Sequence, residues 1–151
     1  MGRTDHVERV ISAPAARVFR AFTDPDDLVA WLPPTGMSGR FEHADIRPGG
    51  SYRMVLTYDE AGHGKSSDDT DIVDVRILDV APGERLVQAV DFVSDDPAFA
   101  GTMTMTWSVA PHPEGALVAI RADDVPTGIS AADHEAGISA SLDNLAAHLA
   151  R

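Results

Sequence analysis

The chain has 151 residues, 44% hydrophobic and 24% charged, which fits one ordinary globular domain able to bury roughly 68–70% of its unfolded surface without metals or disulfides. It has no cysteine, which excludes a disulfide framework and a thiolate zinc site. Its 24 acidic against 12 basic residues give a formal net charge of −12, the wrong sign for gripping a phosphate backbone or an anionic membrane surface.

The polar start MGRTDHVERV carries no apolar signal core, and no apolar run is long enough to span a bilayer, so a cytoplasmic protein without membrane insertion is expected. Val7 to Ser12 alternates imperfectly and reads as a first strand, with Val7, Arg9 and Ile11 on one side. Pro14 then suits the first position of a helix, and Ala15, Val18, Phe19 and Phe22 form one amphipathic stripe. Asp24 caps a second short helix begun by Pro25, in which Asp27 meets the positive end of the dipole. That helix carries Leu28, Trp31 and Leu32 and is stopped by Pro33-Pro34.

From Met37 onward the pattern is β. Arg40 to Ile46 reads as a strand closed by the turn Arg47-Pro48-Gly49-Gly50. Tyr52, Met54, Leu56 and Tyr58 follow at period two. Glu60 to Thr70 reads as a mobile polar hairpin loop, and Ile72 to Val80 as a β-branched strand. Ala81-Pro82-Gly83-Glu84 turns into a strand from Arg85 to Val93, and Ser94 to Ala100 is a loop. Thr102 to Val109 is the clearest strand, with Met103, Met105, Trp107 and Val109 on one face and threonines and Ser108 on the other. After a turn at Pro111 to Gly115, Ala116 to Ala122 is the last strand. A helix from about Ser130 to Ala150 ends the chain. Ser130 and Asp133 form a weakened capping box, and Ile138, Leu142, Leu145 and Leu149 form a narrow stripe flanked by alanines.

This order predicts one α+β domain over residues 1–151. A curved seven-stranded antiparallel sheet wraps around a long C-terminal helix, with two short helices after the first strand. A sheet curled around one helix leaves a gap that side chains must fill or a ligand can occupy.

Five segments carry a resemblance: Ile11-Ser12-Ala13-Pro14-Ala15-Ala16-Arg17-Val18-Phe19; Phe22-Thr23-Asp24-Pro25 leading to Trp31; Asp45-Ile46-Arg47-Pro48-Gly49-Gly50; Val80-Ala81-Pro82-Gly83-Glu84-Arg85-Leu86; and Gly137-Ile138-Ser139-Ala140-Ser141-Leu142-Asp143-Asn144-Leu145. In order and spacing they resemble the activator of Hsp90 ATPase homologue 1-like family (C-terminal domain type), within the START-like, Bet v 1-like (SRPBCC) helix-grip superfamily. The resemblance implies the helix-grip fold and a ligand-binding module. In the family's eukaryotic co-chaperones, Hsp90 stimulation depends on a separate N-terminal domain with an Asn- and Trp-containing motif, which this sequence does not contain.

The sequence shows no catalytic signature. His6, His43, His63, His112, His134 and His148 are scattered without metal-ligand spacing, and no serine stands in a nucleophile elbow. Gly62-His63-Gly64-Lys65-Ser66 lacks the spacing and the strand-to-helix setting of a phosphate loop. Asp68, Asp69, Asp71 and Asp74 lack the calcium-loop pattern and read as a solvated acidic loop. The expected function is therefore binding of an apolar or lipid-like small molecule, without cofactor, metal or catalytic residue. The pocket lining is expected from Trp31, Tyr52, Met54, Phe92, Met105, Trp107, Ile138 and Leu142, methionine being suited to a deformable wall. One alternative is a polyketide cyclase/dehydratase-like enzyme, with His43, Asp45 and Arg121 as acid/base candidates. Another is a chaperone-cofactor-like interaction module. Homodimerisation through a sheet edge or the helix stays open.

Overall fold

The computed structural model describes residues 2–60, 62–67 and 69–150. Alternation in β1 (Arg3–Ile11) begins earlier than Val7: Asp5, Val7, Arg9 and Ile11 share the inner face, with Asp5 and Ile11 buried. Pro14 is the N-cap of α1 (Ala15–Thr23), not its first residue; its ψ of 143° is extended, and its carbonyl accepts the first helical bonds from Arg17 and Val18. Asp24 caps α2 (Pro25–Trp31), accepting from the Asp26 amide at 2.9 Å. The junction of the two helices explains one buried polar contact. The Ala21 carbonyl would look to the amide of residue 25, which is a proline and has none, and the Trp31 indole Nε1 donates to it at 2.9 Å instead.

Six strands follow as an antiparallel meander: β2 (Met37–Ala44), β3 (Ser51–Tyr58), β4 (Thr70–Ala81), β5 (Arg85–Phe92), β6 (Met103–His112) and β7 (Gly115–Val125). β1 adds to the far side of β7, from Arg3 opposite Val125 to Ile11 opposite Ala116, giving the order β1-β7-β6-β5-β4-β3-β2. The expected seven-stranded antiparallel sheet is thus present, with shifted strand ends. β2 ends before Ile46 because the following turn is latched early. Gly49 sits at φ +80°, Gly50 donates to the Arg47 carbonyl at 2.8 Å, and a Cβ on Gly50 would lie 2.1 Å from the Asp45 oxygen. Ser94 to Ala100 is not plain loop: Asp96 caps a single 3-10 turn over Pro97–Phe99.

The closing helix α3 (Ala131–Leu149) is capped as expected, Ser130 Oγ accepting from the Asp133 amide at 3.0 Å. Ile138, Leu142 and Leu145 of its stripe are buried, together with Ser141. The proline pair stops α2 and leaves its last carbonyls without helical partners, so Ser141 Oγ donates to the Leu32 oxygen at 2.7 Å and Asn144 Nδ2 to the Pro33 oxygen at 2.9 Å.

Two His–Asp–Arg clusters hold α3 at both ends. Near its start, Asp5 accepts from Arg3 Nε at 2.9 Å and from His134 Nδ1 at 2.7 Å. Near its end, Asp27 accepts from both Arg17 nitrogens at 3.1 and 3.0 Å and from His148 Nε2 at 2.6 Å. Arg9 of β1 adds an ion pair to Asp143 of α3. Burial works against the Asp5 carboxylate, yet Arg3 and His134 hold its pKa below the usual 3.8, and Asp27 is held down first by Arg17. A depressed folded pKa contributes stability that is complete above the unfolded value and lost as pH falls through the folded one. The urea midpoint should therefore hold steady down to about pH 4 and drop below it. Asp27→Asn should flatten that drop, and an unchanged acid limb in the variant would remove Asp27 as its source.

Candidate functional site

Inward-facing positions of β3 to β6 line a cavity of about 540 Å³, closed by the first half of α3 and by the segment after α2. That volume lies within the range of ordinary small-molecule sites, about 300–1,000 Å³. The wall follows from strand parity: Tyr52 and Met54 on β3, Phe92 on β5, Met105 and Trp107 on β6, with Ile138 facing them from α3. These are six of the eight positions expected from the sequence.

The other two are corrected. Trp31 and Leu142 are fully buried behind the wall and contribute nothing to it. Trp31 is held away by its bond to Ala21 and by edge contact with Trp107, ring centroids 5.3 Å apart, while Phe22 packs against both indoles at 6.2 and 5.6 Å. Amphipathic spacing marks which residues face inward, but cannot separate those that meet a cavity from those one layer deeper.

The acid/base candidates also lie elsewhere. His43 is exposed and meets Ser51 Oγ at 3.3 Å, and Asp45 is exposed with Arg47. Arg121 projects from the opposite face of β7, beside His6 and Thr106. Other polar groups do line the cavity. Asp71 is only 3% exposed and belongs to the inner face of β4 with Val73, Val75 and Ile77. The loop before it turns Lys65 inward, so that Lys65 Nζ donates to Asp71 Oδ2 at 2.8 Å and to the Tyr58 hydroxyl at 3.2 Å. Tyr58 itself donates to Asp71 at 2.8 Å, and the Lys65 amide fills the second carboxylate oxygen at 2.7 Å. The ammonium also lies 5.5 Å from the Phe92 ring and 5.8 Å from the Phe99 ring.

This overturns the solvated reading for Asp71, while Asp69 is exposed as expected. Asp71 is a buried anchor and Asp74 pairs with Arg53 at 2.6 Å, whereas Asp68 lies outside the described residues. Burial opposes the charge on Lys65, but Asp71 beside it outweighs burial and raises its pKa; burial and Asp71 together raise that of Tyr58. Neither group is poised for proton transfer near neutrality.

Deeper in the cavity, Gln88 of β5 is 1% exposed and its Oε1 accepts from the Tyr52 hydroxyl at 3.1 Å. Strand parity with Leu86 and Val90 was a usable signal for this residue, since a glutamine at an inward position of an apolar strand is unusual. Among the described residues no group of His, Asp and Glu comes together to hold a metal ion, and no helix is long and apolar enough to cross a membrane.

The family model described as activator of Hsp90 ATPase homolog 1-like protein matches residues 12–150. No curated protein matches the chain. Among solved structures, the chain is 34% identical to a Chromobacterium violaceum protein, at a TM-score of 0.86 and covering 98% of this chain and 97% of that one. It is 21% identical to the protein titled AHSA1 from Silicibacter pomeroyi, at a TM-score of 0.80 and 98% coverage of each. A Rhodobacter sphaeroides protein is likewise 21% identical, at a TM-score of 0.79, covering 99% of this chain and 94% of that one. At 21% identity the likeness shows the fold alone.

Proposed function

The chain belongs to the activator of Hsp90 ATPase homolog 1-like family, and from that premise we propose that it is a binding protein for an apolar or lipid-like small molecule held between the sheet and α3. The observation that carries this reading is the cavity of about 540 Å³ walled by methionine and aromatic side chains. Met54 and Met105 line it from two different strands, and unbranched thioethers adapt to ligands of varied outline. Supporting a binder over an enzyme, the Tyr58–Lys65–Asp71 set is internally paired, with both Asp71 oxygens engaged. The exposed large apolar residues Val10, Val29, Leu78 and Val93 come from separate segments, which gives an interaction module little to build on.

Native mass spectrometry of freshly purified protein tests the proposal, with an expected excess of a few hundred daltons, the order of a molecule filling such a pocket. Gly137 supplies the control. It lines the cavity from α3, and a Cβ there would meet nothing within 4 Å. Gly137→Leu should project into the space and abolish the excess mass. It should also stabilise the protein by about 0.5–1 kcal/mol through helix propensity. Clean apo mass for the wild type, with no uptake of added apolar compounds, would overturn the proposal.

A further inference from the structure

The cavity wall contains more hydrogen-bond donors than the protein itself can use. Among the described residues, Gln88 Nε2 and Trp107 Nε1 are buried side-chain atoms with no hydrogen-bond partner. Their residues are 1% and 2% exposed, and both line the cavity. A buried donor left unpaired loses its bond to water and gains nothing in return, so two on one wall call for a partner.

The sheet register places these donors together. Gln88 stands opposite Met105 and Leu86 opposite Trp107, which makes Gln88 and Trp107 diagonal neighbours on the same face of β5 and β6. Diagonal neighbours lie about 7–8 Å apart, within reach of long side chains converging on one group. Tyr52 completes the cluster through its bond to Gln88. Gln88 brings two amide hydrogens, Trp107 one and Tyr52 one. The single internal bond absorbs one of them, whichever way the amide is turned. Burial keeps the Tyr52 phenol protonated far beyond neutral pH, so the excess of hydrogens is permanent.

The missing partner is an acceptor, and the charges around the cavity decide its kind. Lys65 is already paired with Asp71, and Asp133 adds a second acidic group to the lining. Among the described residues Lys65 is the one Lys or Arg in the lining and it is already paired, so an anionic head such as a fatty carboxylate would enter this wall at a large desolvation cost. We propose that the ligand is a neutral apolar molecule bearing a carbonyl oxygen, such as a ketone or ester, seated on the Gln88 amide and the Trp107 indole N–H. This rests on the cavity-binding reading above and adds the chemical class of the occupant.

Benzophenone and its methylidene analogue, in which C=CH₂ replaces C=O, separate the two ideas because their shapes are nearly the same. Titration calorimetry of the wild type should show the ketone bound about fivefold to tenfold more tightly, the size of one or two net hydrogen bonds. The infrared carbonyl stretch of the bound ketone should move to lower frequency than in hydrocarbon solvent. Gln88→Leu and, separately, Trp107→Phe should each bring the ratio of ketone to methylidene affinity towards one, whatever each change does to binding of both probes alike. Equal binding of the two probes, or a carbonyl stretch matching that in hydrocarbon, overturns the carbonyl assignment and leaves the cavity reading standing; a water molecule held by these donors gives that result. If neither probe binds, both readings fall. Should a variant not fold, the wild-type preference and infrared shift still decide.

Discussion

Truncating Trp31 to alanine is expected to lower the unfolding free energy by about 3–5 kcal/mol, the range for removing a large aromatic from a closed core. The side chain is fully buried, packs edge-on against Trp107 and at a tilt against Phe22, and provides the hydrogen bond that Pro25 denies to the Ala21 carbonyl. Trp31→Phe should recover most of the packing and lose about 1–2 kcal/mol for the orphaned carbonyl. Met105→Ala makes the comparison decisive. Met105 is only half-buried and faces the cavity, so its truncation removes fewer packed neighbours and should cost about 1 kcal/mol or less. Urea denaturation of the three variants would read the difference. Equal costs for Trp31→Ala and Met105→Ala would mean that the space beside Met105 is packed core.

Asp27→Ala should be nearly as damaging, at about 2–3 kcal/mol. Removing one member of a fully buried ion pair costs about 3–5 kcal/mol, but Arg17 is 29% exposed and water recovers part of that loss. The change strands the Arg17 guanidinium and the His148 ring together, and removes a carboxylate from the first turn of α2. In a chain of this size the loss should appear as a fall in Tm of roughly 4–12 °C. A double-mutant cycle between Asp27 and Arg17 should give a coupling of at least about 1 kcal/mol. The exposed pair Asp45–Arg47, 52% and 72% exposed, should give close to zero. Similar couplings for the two pairs would show that the Asp27–Arg17 bond contributes no more than an exposed one.

Strand parity made most of the fold readable. The alternation in Thr102 to Val109, and in Tyr52 to Tyr58, assigns each inward residue correctly, because a one-residue slip would expose the whole apolar set. The same parity, applied to polar residues, would have found Asp5, Asp71 and Gln88, each sharing a face with buried aliphatics. Those three were passed over because a charged or amide side chain reads as solvent-facing until its partner is known. The partners of Asp5 and Gln88 are remote. His134 reaches Asp5 from the other end of the chain, and Tyr52 of β3 reaches Gln88 of β5 across β4. Lys65 carries no signal, since only the path of its loop turns it inward. Trp31 and Leu142 mark the opposite error: hydrophobic periodicity identifies burial and is blind to whether the buried surface meets atoms or a void.

The pairing of β1 with β7 has a kinetic consequence. Strands β3 to β7 can each dock onto the preceding strand as it leaves the ribosome, because every neighbour in the meander is also a neighbour in sequence. β1 is synthesised before all of them, yet among the described residues it pairs with β7 alone, with Arg3 waiting for Val125. Its polar outer positions, Thr4, His6 and Glu8, alternate with the half-buried inner ones, so a strand that must wait unpaired presents one hydrophilic side. The two acids that anchor α3, Asp5 on β1 and Asp27 on α2, are likewise in place long before the helix they receive. Assembly of this domain therefore finishes with the first strand and the last helix meeting over a sheet whose middle has already formed.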